Sequence, residues 1–579
     1  MNIDSPLKVV IIGGVAGGAS AAARLRRQSE EAEIIVLEKT GYISYANCGL
    51  PYYLGGVITE RDKLLLQTPE SMRKRFRLDV RVNTEALEIR PREKVVVALD
   101  HSGPGGRGRY ELSYDKLILA PGAQPVRPNL SGLDLPNVFT LRNMEDCDRI
   151  KTFLAGRAGS PAPKTALVVG GGFVGLEMME NLTQAGWAVT AAELAPQVLA
   201  PLDPEMAAPI KAHLREKGVD LRLSTGLAEI TQAPEGRLNC RLEGGLSLTA
   251  DMAILGLGVS PDTSLARAAG LTLTKGGAIL VDSFMRSSEP DIYAVGDAVS
   301  IRDFVTGQPL VMPLAGPANR QGRLAADNIM AETRPDRKLT AYEGTQGTLI
   351  CRVFELTAGA TGLNEKRLRN SGRRYDKVYL YPASHAAYYP GSEPMSLKVL
   401  FDPDDGRLLG AQAVGRLGVD KRLDVLATAL RAKLTVRDLT NLELGYAPPY
   451  SSAKDPVNMA GFVATNVLDG QLRQIFADDL AARVAKTEPA LWLLDVRTPK
   501  EFQSGSLPGA VNIPVDELRD RLDDLPRDRL IVTFCQVGLR SYLAYRLLSQ
   551  HGFDRLVNLS GGYRAWLAQM EADRPTAAQ

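Results

Sequence analysis

Two widely separated cysteines carry the residue types that could do chemistry in this chain. Cys48 lies in Ser44-Tyr-Ala-Asn-Cys-Gly-Leu-Pro-Tyr-Tyr53, about thirty residues beyond a glycine-rich turn ending at Gly18. A thiol so placed can face a nucleotide-borne redox group and exchange an electron pair with it. Cys535 opens the run Cys-Gln-Val-Gly-Leu-Arg540 after an apolar strand-like segment. A loop of that kind aims backbone N–H groups at a sulfur anion, and Arg540 adds charge. The pair implies electron transfer at one end and sulfur transfer at the other. Cys147, Cys240 and Cys351 complete an odd, widely spaced set without a C-x-x-C pair. This excludes a disulfide framework and a structural zinc site, and no metal site is expected. These three are read as buried or incidental thiols.

The elements that would position Cys48 are legible. Lys8-Val-Val-Ile-Ile12 breaks into Gly13-Gly-Val-Ala-Gly-Gly18 and an alanine-rich stretch through Arg27. Strand, tight turn and helix start make a pyrophosphate site, lined by Gly13, Ala16, Gly17 and Gly18, because unpaired N–H groups and the helix dipole face the anion. The strand Glu33–Leu37 then delivers Glu38 and Lys39, where a carboxylate would take a ribose hydroxyl pair,. Val15 occupies the usual second glycine position. A second copy is complete: Ala166–Val169, then Gly170, Gly172 and Gly175 around Phe173 and Val174, then a strand Ala188–Ala192 ending at Glu193. Glu193 without an adjacent arginine favours NADH over NADPH, since a carboxylate repels a 2′-phosphate. Two dinucleotide folds imply two dinucleotides, the layout of a flavoprotein reductase holding FAD in one unit and NADH in the other.

The bulk properties agree. At 579 residues the chain exceeds one hydrophobic core, and 45% apolar with 23% charged residues is ordinary for a globular protein,. A balance of 69 basic against 67 acidic residues, net +2, makes nucleic acid a poor partner,. The basic run Arg73-Lys-Arg-Phe-Arg77 reads as a solvated helix face or a local phosphate site. No leader and no apolar stretch of membrane-spanning length is seen, so a cytoplasmic protein is expected.

Later motifs carry a family resemblance. Tyr114–Ala123, containing Gly122, and Ala253–Gly258 resemble the crossovers of the pyridine nucleotide–disulfide oxidoreductase family. Asp291-Ile-Tyr-Ala-Val-Gly-Asp297 resembles its second FAD motif, and the resemblance implies that Asp297 binds the ribityl chain. The disulfide-forming members use two cysteines five positions apart, but Tyr53 stands five beyond Cys48. An external thiol must therefore complete the redox pair. Related NADH oxidases and peroxidases carry a histidine in the first glycine loop where Ala16 stands, which weighs against oxygen or peroxide as main substrate.

The segment Ser44–Tyr52 resembles the active-site segment of coenzyme A-disulfide reductases, whose single cysteine forms a mixed disulfide with coenzyme A. Pro313-Leu-Ala-Gly-Pro-Ala-Asn-Arg-Gln-Gly322, Ala387–Gly391 and Leu444–Tyr450 extend the resemblance over about the first 455 residues. It implies FAD contacts at Pro313, Leu314 and Ala315, and NAD contact at Gly258. It also implies coenzyme A contacts at Ser44, Asn47, Cys48 and Asn319, and tyrosines Tyr388 and Tyr446 lying over the partner subunit's cysteine in a homodimer. Coenzyme A phosphates need cations, and Arg24, Arg27, Lys74 and Arg77 are the nearest in sequence. Cys48 would need a lowered pKa, which a nearby helix N-terminus and flavin could supply. Phe173 is a plausible gate for NADH.

The C-terminal hundred residues resemble a rhodanese domain through Leu493–Phe502, Leu507–Pro514 and Cys535–Arg540. Four residues lie between Cys535 and Arg540, which favours sulfur over the phosphate held by related loops with five. Ser506 replaces a histidine common in that family. The expected architecture is α/β: two Rossmann-like domains, FAD-binding over 1–122 and 250–325 and NAD(P)H-binding over 123–249. An α+β dimerisation domain follows over 326–455, a linker over 456–475, and the rhodanese domain over 476–572. The fusion resembles enzymes that reduce persulfide or polysulfide with NADH, FAD and coenzyme A. The alternatives are a coenzyme A-disulfide reductase with accessory sulfurtransferase, an NADH oxidase or peroxidase, and a redox-sensing flavoprotein.

Overall fold

A computed structural model describes residues 6–103, 106–157, 163–334 and 336–574. The chain divides into two compact units. One runs to Ala191 and resumes over Gly226–Thr345; the other comprises Ala192–Thr225 and the chain from Gln346 onward.

In the first unit five parallel strands pair in the order Ile292–Ala294, Lys116–Leu119, Lys8–Ile12, Glu33–Leu37, Asp79–Arg81. The apolar run of the central strand is continuous because both faces are covered, and Val9, Val10 and Ile11 expose no surface,. The helices Ala16–Gln28 and Ala315–Glu332 pack on this core through Ala21, Ala22, Leu25, Ala325, Ala326 and Ile329. The second expected nucleotide unit begins with Thr165–Val169, parallel to Met252–Leu255, which is parallel to Val138–Phe139. Between the two sets runs a ribbon of Ala123–Pro125 against Val259–Pro261. It holds both crossover glycines: Val126 N donates to Gly258 O at 2.9 Å and Asp262 N to Gly122 O at 3.0 Å.

The second unit contains an antiparallel sheet ordered Leu349–Val353, Leu356–Gly362, Leu408–Gly415, Met395–Phe401, Asp376–Leu380. The helical stretch expected around Arg422–Lys433 is the helix Val419–Arg431. Lys398 projects from this sheet with no exposed surface. Its ammonium meets Asp203 Oδ2 at 2.6 Å, Glu205 Oε1 at 2.5 Å and Glu365 Oε1. Three carboxylates converging on one buried cation hold the Ala192–Thr225 segment to the sheet, and removing the cation would strand their charge. Residues 456–475, expected as linker, carry the helix Pro456–Leu468 and the strand Gln474–Ile475. Val457, Ala460 and Ala464 are buried one helical face apart, which makes that stretch a packed element,.

The last sheet is parallel, ordered Gln474–Ile475, Leu556–Leu559, Leu530–Phe534, Leu491–Asp495, Val511–Asn512. Cys535 follows its central strand, and the helix Leu539–Gln550 begins four residues later. Among the described residues no helix is long and apolar enough to cross a membrane.

Candidate active sites

The first glycine turn is closed by sterics. Gly13 has φ +100°, and a Cβ there would lie 2.1 Å from Ala120 O; one on Gly18 would lie 1.8 Å from Gly13 O. Only glycine lets strand, turn and helix approach this closely. Val15 caps the helix in a non-helical conformation, so Ala16 and Gly17 present first-turn N–H groups,. Glu38 is buried beside the turn, where its Oε2 accepts from Gly14 N at 2.9 Å and its Oε1 from Thr40 N and Oγ1, each at 2.9 Å. Lys39 points to Asp262 at 3.2 Å, so its charge is already matched. Leu314 caps the long helix that starts at Ala315, and Pro313 and Ala315 are exposed beside it.

At the second turn a Cβ on Gly175 would lie 2.0 Å from Gly170 O, whereas one on Gly172 would meet nothing within 4 Å. The turn is packed on its inner side and open where a pyrophosphate would approach, which fits a dinucleotide. Phe173 is half-buried and Val174 exposed at the helix start. Glu193 ends the strand Ala188–Glu193 and accepts from Ala195 N at 2.7 Å.

Cys48 sits in a single helical turn, Asn47–Gly49, leading into the short helix Leu50–Leu54. Its loop is fastened to the first glycine turn because Ser44, at φ +44°, donates its N–H to Gly14 O at 2.9 Å. The strongest organiser is Arg142, which no motif announced. Its Nε donates to Ala123 O at 2.9 Å and its Nη2 to Asp297 Oδ2 at 3.1 Å. With the Asn47 amide turned to match, Asn47 accepts from Arg142 Nη1 and donates to Arg142 O, both at 2.9 Å,. One guanidinium thus joins the residue before Cys48, the crossover after Gly122 and the expected ribityl-binding Asp297. Burial raises the Asp297 pKa against the pull of Arg142.

The nearby helix N-terminus does not by itself supply the lowered thiol pKa expected at Cys48. Cys48 is exposed as a residue, yet loss of water around the thiol raises its pKa, Glu177 raises it further, and Arg142 opposes both,. The neighbouring helix is a turn and a half long, too short for its dipole to win. Glu177 belongs to the second fingerprint helix; burial, with Glu180 beside it, pushes its carboxyl to about 7 despite a hydrogen bond with Tyr52. No sequence motif pointed to this glutamate. Its placement beside Cys48 depends on packing of the helix Leu50–Leu54 against Phe173–Gln184.

The expected phosphate-binding cations are partly gathered. Arg26, at the end of the first helix, donates to Phe76 O at 2.8 Å and Arg77 O at 3.1 Å, which joins the ends of two helices. Exposed Arg27 and Arg77 therefore lie on neighbouring ends, with exposed Lys74 one turn before Arg77. Arg24 instead pairs with Asp327 at 2.5 Å, and Asn319 Oδ1 accepts from Ser20 at 2.7 Å. In the second unit the hydroxyls of Tyr388 and Tyr446, 75% and 50% exposed, meet at 3.2 Å. Sequence separation of 58 positions gave no hint of that contact.

Cys535 is 1% exposed. Gly538, at φ +121°, turns its N–H onto the sulfur at 3.1 Å. The cradle is braced by a buried pair: Arg497 Nη2 meets Asp495 Oδ2 at 2.7 Å, and Arg497 Nη1 donates to Gln536 Oε1 at 3.1 Å. Ser506, where the family often has histidine, donates to Asp495 Oδ2 at 2.6 Å. Arg540 reaches the sulfur but is held by Glu501, whose carboxyl it keeps at about 2. Cys147, Cys240 and Cys351 are buried, and burial pushes the first two thiols to about 12.

The description "Pyridine nucleotide-disulphide oxidoreductase" matches residues 7–322, its dimerisation domain matches 349–456, and "Rhodanese-like domain" matches 476–569. The chain belongs to the pyridine nucleotide–disulphide oxidoreductase family. It is a flavoprotein oxidoreductase of that family with a rhodanese domain. The coenzyme A disulfide reductase of Staphylococcus epidermidis is 35% identical over 457 residues, covering 79% of this chain and 99% of that protein. The reduced CoADR-RHD of Bacillus anthracis is 47% identical with a TM-score of 0.93, covering 98% of each chain. A NAD-dependent persulfide reductase from A. fulgidus is 36% identical with a TM-score of 0.88, covering 97% of this chain and 100% of that one. In this family the two glycine turns are sites for FAD and NAD(P)H, and the donor sets described above fit both.

Proposed function

We propose that this flavoprotein reduces persulfide or polysulfide sulfur to hydrosulfide with NADH, using coenzyme A at Cys48. The observation that carries the reading is one chain holding both an exposed, unbridged Cys48 fastened to a dinucleotide turn and a separately cradled Cys535. Full-length similarity to a persulfide reductase supports it. FAD, when bound, would pass an electron pair from NADH to sulfur, held by residues 1–122 and 250–325, with NADH on 123–249. The Cys48 thiolate attacks the inner sulfur of coenzyme A persulfide: Cys48–S⁻ + CoA–S–SH → Cys48–S–S–CoA + HS⁻. Two electrons and a proton then return Cys48–S⁻ and CoA–SH. Arg142 favours the thiolate and positions Asn47 beside it. Glu177, whose carboxyl is pushed to about 7 and whose charge acts on the Cys48 thiol, would hold or release a proton there,. Tyr388 and Tyr446, acting on the partner's thiol in a homodimer, would donate to the leaving sulfur. Arg27, Lys74 and Arg77 would hold coenzyme A phosphates, with Ser44, Asn47 and Asn319 along its arm. Cys535 would carry sulfane sulfur to the acceptor thiol, and the enzyme would work in the cytoplasm.

A second reading, a coenzyme A-disulfide reductase with accessory sulfurtransferase, is favoured by the name of the Staphylococcus relative. Anaerobic NADH oxidation with coenzyme A persulfide and with coenzyme A disulfide, counting hydrosulfide, separates the two. One hydrosulfide per NADH from the persulfide, at the higher kcat/KM, is expected. NADH consumption with the disulfide and no hydrosulfide from the persulfide would replace the first reading by the second.

A further inference from the structure

Tyr388 and Tyr446 stand on separate loops, 381–394 and 441–455, and their hydroxyls meet although both side chains are exposed. A buried residue joins the two loops. Ser451 has no exposed surface; its N–H donates to Ala447 O at 3.1 Å, beside Tyr446, and its carbonyl accepts from Ala386 N at 3.0 Å, two residues before Tyr388. Each tyrosine lies in a turn fastened at Ser451, because Ala386 O accepts from Tyr389 N and Ala447 O from Tyr450 N, both at 2.9 Å. The Ser451 side chain is itself clamped. Its Oγ accepts from Arg422 Nη2 at 3.0 Å and donates to Asp455 Oδ2 at 2.6 Å, and Arg422 Nη2 meets the same Asp455 oxygen at 2.9 Å. Arg422 and Asp455 are 1% and 2% exposed, so separating them would strand two charges away from water,. Both belong to helix frames: Arg422 lies in Val419–Arg431, and Asp455 Oδ1 caps Pro456–Leu468 by accepting from Val457 N at 3.0 Å. Other ties act on one loop at a time. Ser384 N donates to Glu393 O at 2.8 Å, the His385 ring lies between Ser384 Oγ and Pro390 O, and Lys421 Nζ donates to Gly445 O at 3.3 Å.

We infer that Ser451, clamped by Arg422 and Asp455, is a positioning residue that keeps Tyr388 and Tyr446 in register as one hydrogen-bonding unit. The inference rests on the donor role proposed for the two tyrosines. In a pair of phenols one O–H is engaged with the other oxygen. The accepting phenol's own O–H is polarised by the bond it receives, which makes it the stronger donor to a leaving sulfur. That gain lasts while the two oxygens stay within hydrogen-bond reach, and a loop displaced by about 1 Å forfeits it.

The test is a double-mutant cycle on the full-length holoenzyme, reading the single-turnover rate of hydrosulfide release when the NADH-reduced enzyme meets coenzyme A persulfide without oxygen. Tyr388→Phe removes one member of the pair and should slow release about tenfold. Ser451→Ala leaves Arg422 and Asp455 in contact, so flavin content and the KM for NADH should hold while release slows about fivefold. In the Tyr388→Phe background Ser451→Ala should cost less than about twofold, because the register it protects is already gone. A merely structural role would cost the same factor in both backgrounds, and that result overturns the inference, as does a wild-type rate in Ser451→Ala. If the alanine variant loses flavin, the cycle is read on Ser451→Cys, which keeps the shape and weakens the hydrogen bonds. A Tyr388→Phe enzyme as fast as wild type would instead remove the donor role and the inference with it, a result distinct from equal factors in the cycle.

Discussion

The cradle around Cys535 is finished by its own neighbourhood, whereas the surroundings of Cys48 are assembled from distant stretches and still leave its thiol reluctant to ionise. At Cys535 an inward N–H from Gly538, the Asp495–Arg497 brace and Arg540 all arise within residues 495–540. At Cys48, Arg142 pulls toward the thiolate, while burial and Glu177 push away. The difference teaches that one site is preorganised to hold a sulfur anion. At the other, the protein's own groups pull the thiol in opposite directions.

Exchanging the two thiols separately probes this contrast most strongly. Cys48→Ser should lower NADH-driven turnover by ~10³-fold or more while sparing sulfur loading on Cys535, and Cys535→Ser should do the converse with soluble coenzyme A substrates. Parallel stopped-flow and mass measurements would reveal any cross-dependence, which would erase the distinction.

Removing the cation comes next. Arg142→Met takes away the cation that favours the thiolate, so the thiol pKa rises and the rate limb that needs thiolate moves up by about one pH unit,. Flavin content should fall as well, because Asp297 loses its partner. Glu177→Gln should act with opposite sign, shifting the thiolate limb down and deleting an inflection near its own value of about 7. A pH–rate profile for both variants checks the signs, and shifts in the same direction would refute the opposed roles.

The smallest change falls on the self-contained cradle. Gly538→Ala forces a side chain into φ +121°, a conformation costing of the order of 1–3 kcal/mol, and tilts the N–H away from the sulfur,. Sulfur loading should drop several-fold with NADH-driven turnover retained, as a thiocyanate assay beside NADH oxidation would record.

How much of this was legible depended on whether the cause was local. The glycine turns could be read because close packing tolerates nothing else at Gly13, Gly18, Gly170 and Gly175. The stretch 456–475 was expected as a linker because composition changes along it, and only the structure shows the helix over 456–468 packing through Val457, Ala460 and Ala464. Arg142 was not legible: its three partners lie at positions 47, 123 and 297, and only closure of the fold unites them. Nor was the reluctance of Cys48, which comes first from loss of water around the thiol and then from Glu177 on a separate helix. Ser506 was flagged as a departure, and its meaning emerged only in its bond to Asp495.

That the Cys535 cradle is built from residues 495–540 alone also bears on inheritance. Recombination that moves the whole rhodanese domain, residues 476–569, carries every one of these bracing partners with it. Partners drawn from positions 47, 142, 177 and 297 allow no such trade, since a crossover anywhere between them separates parts that must descend together.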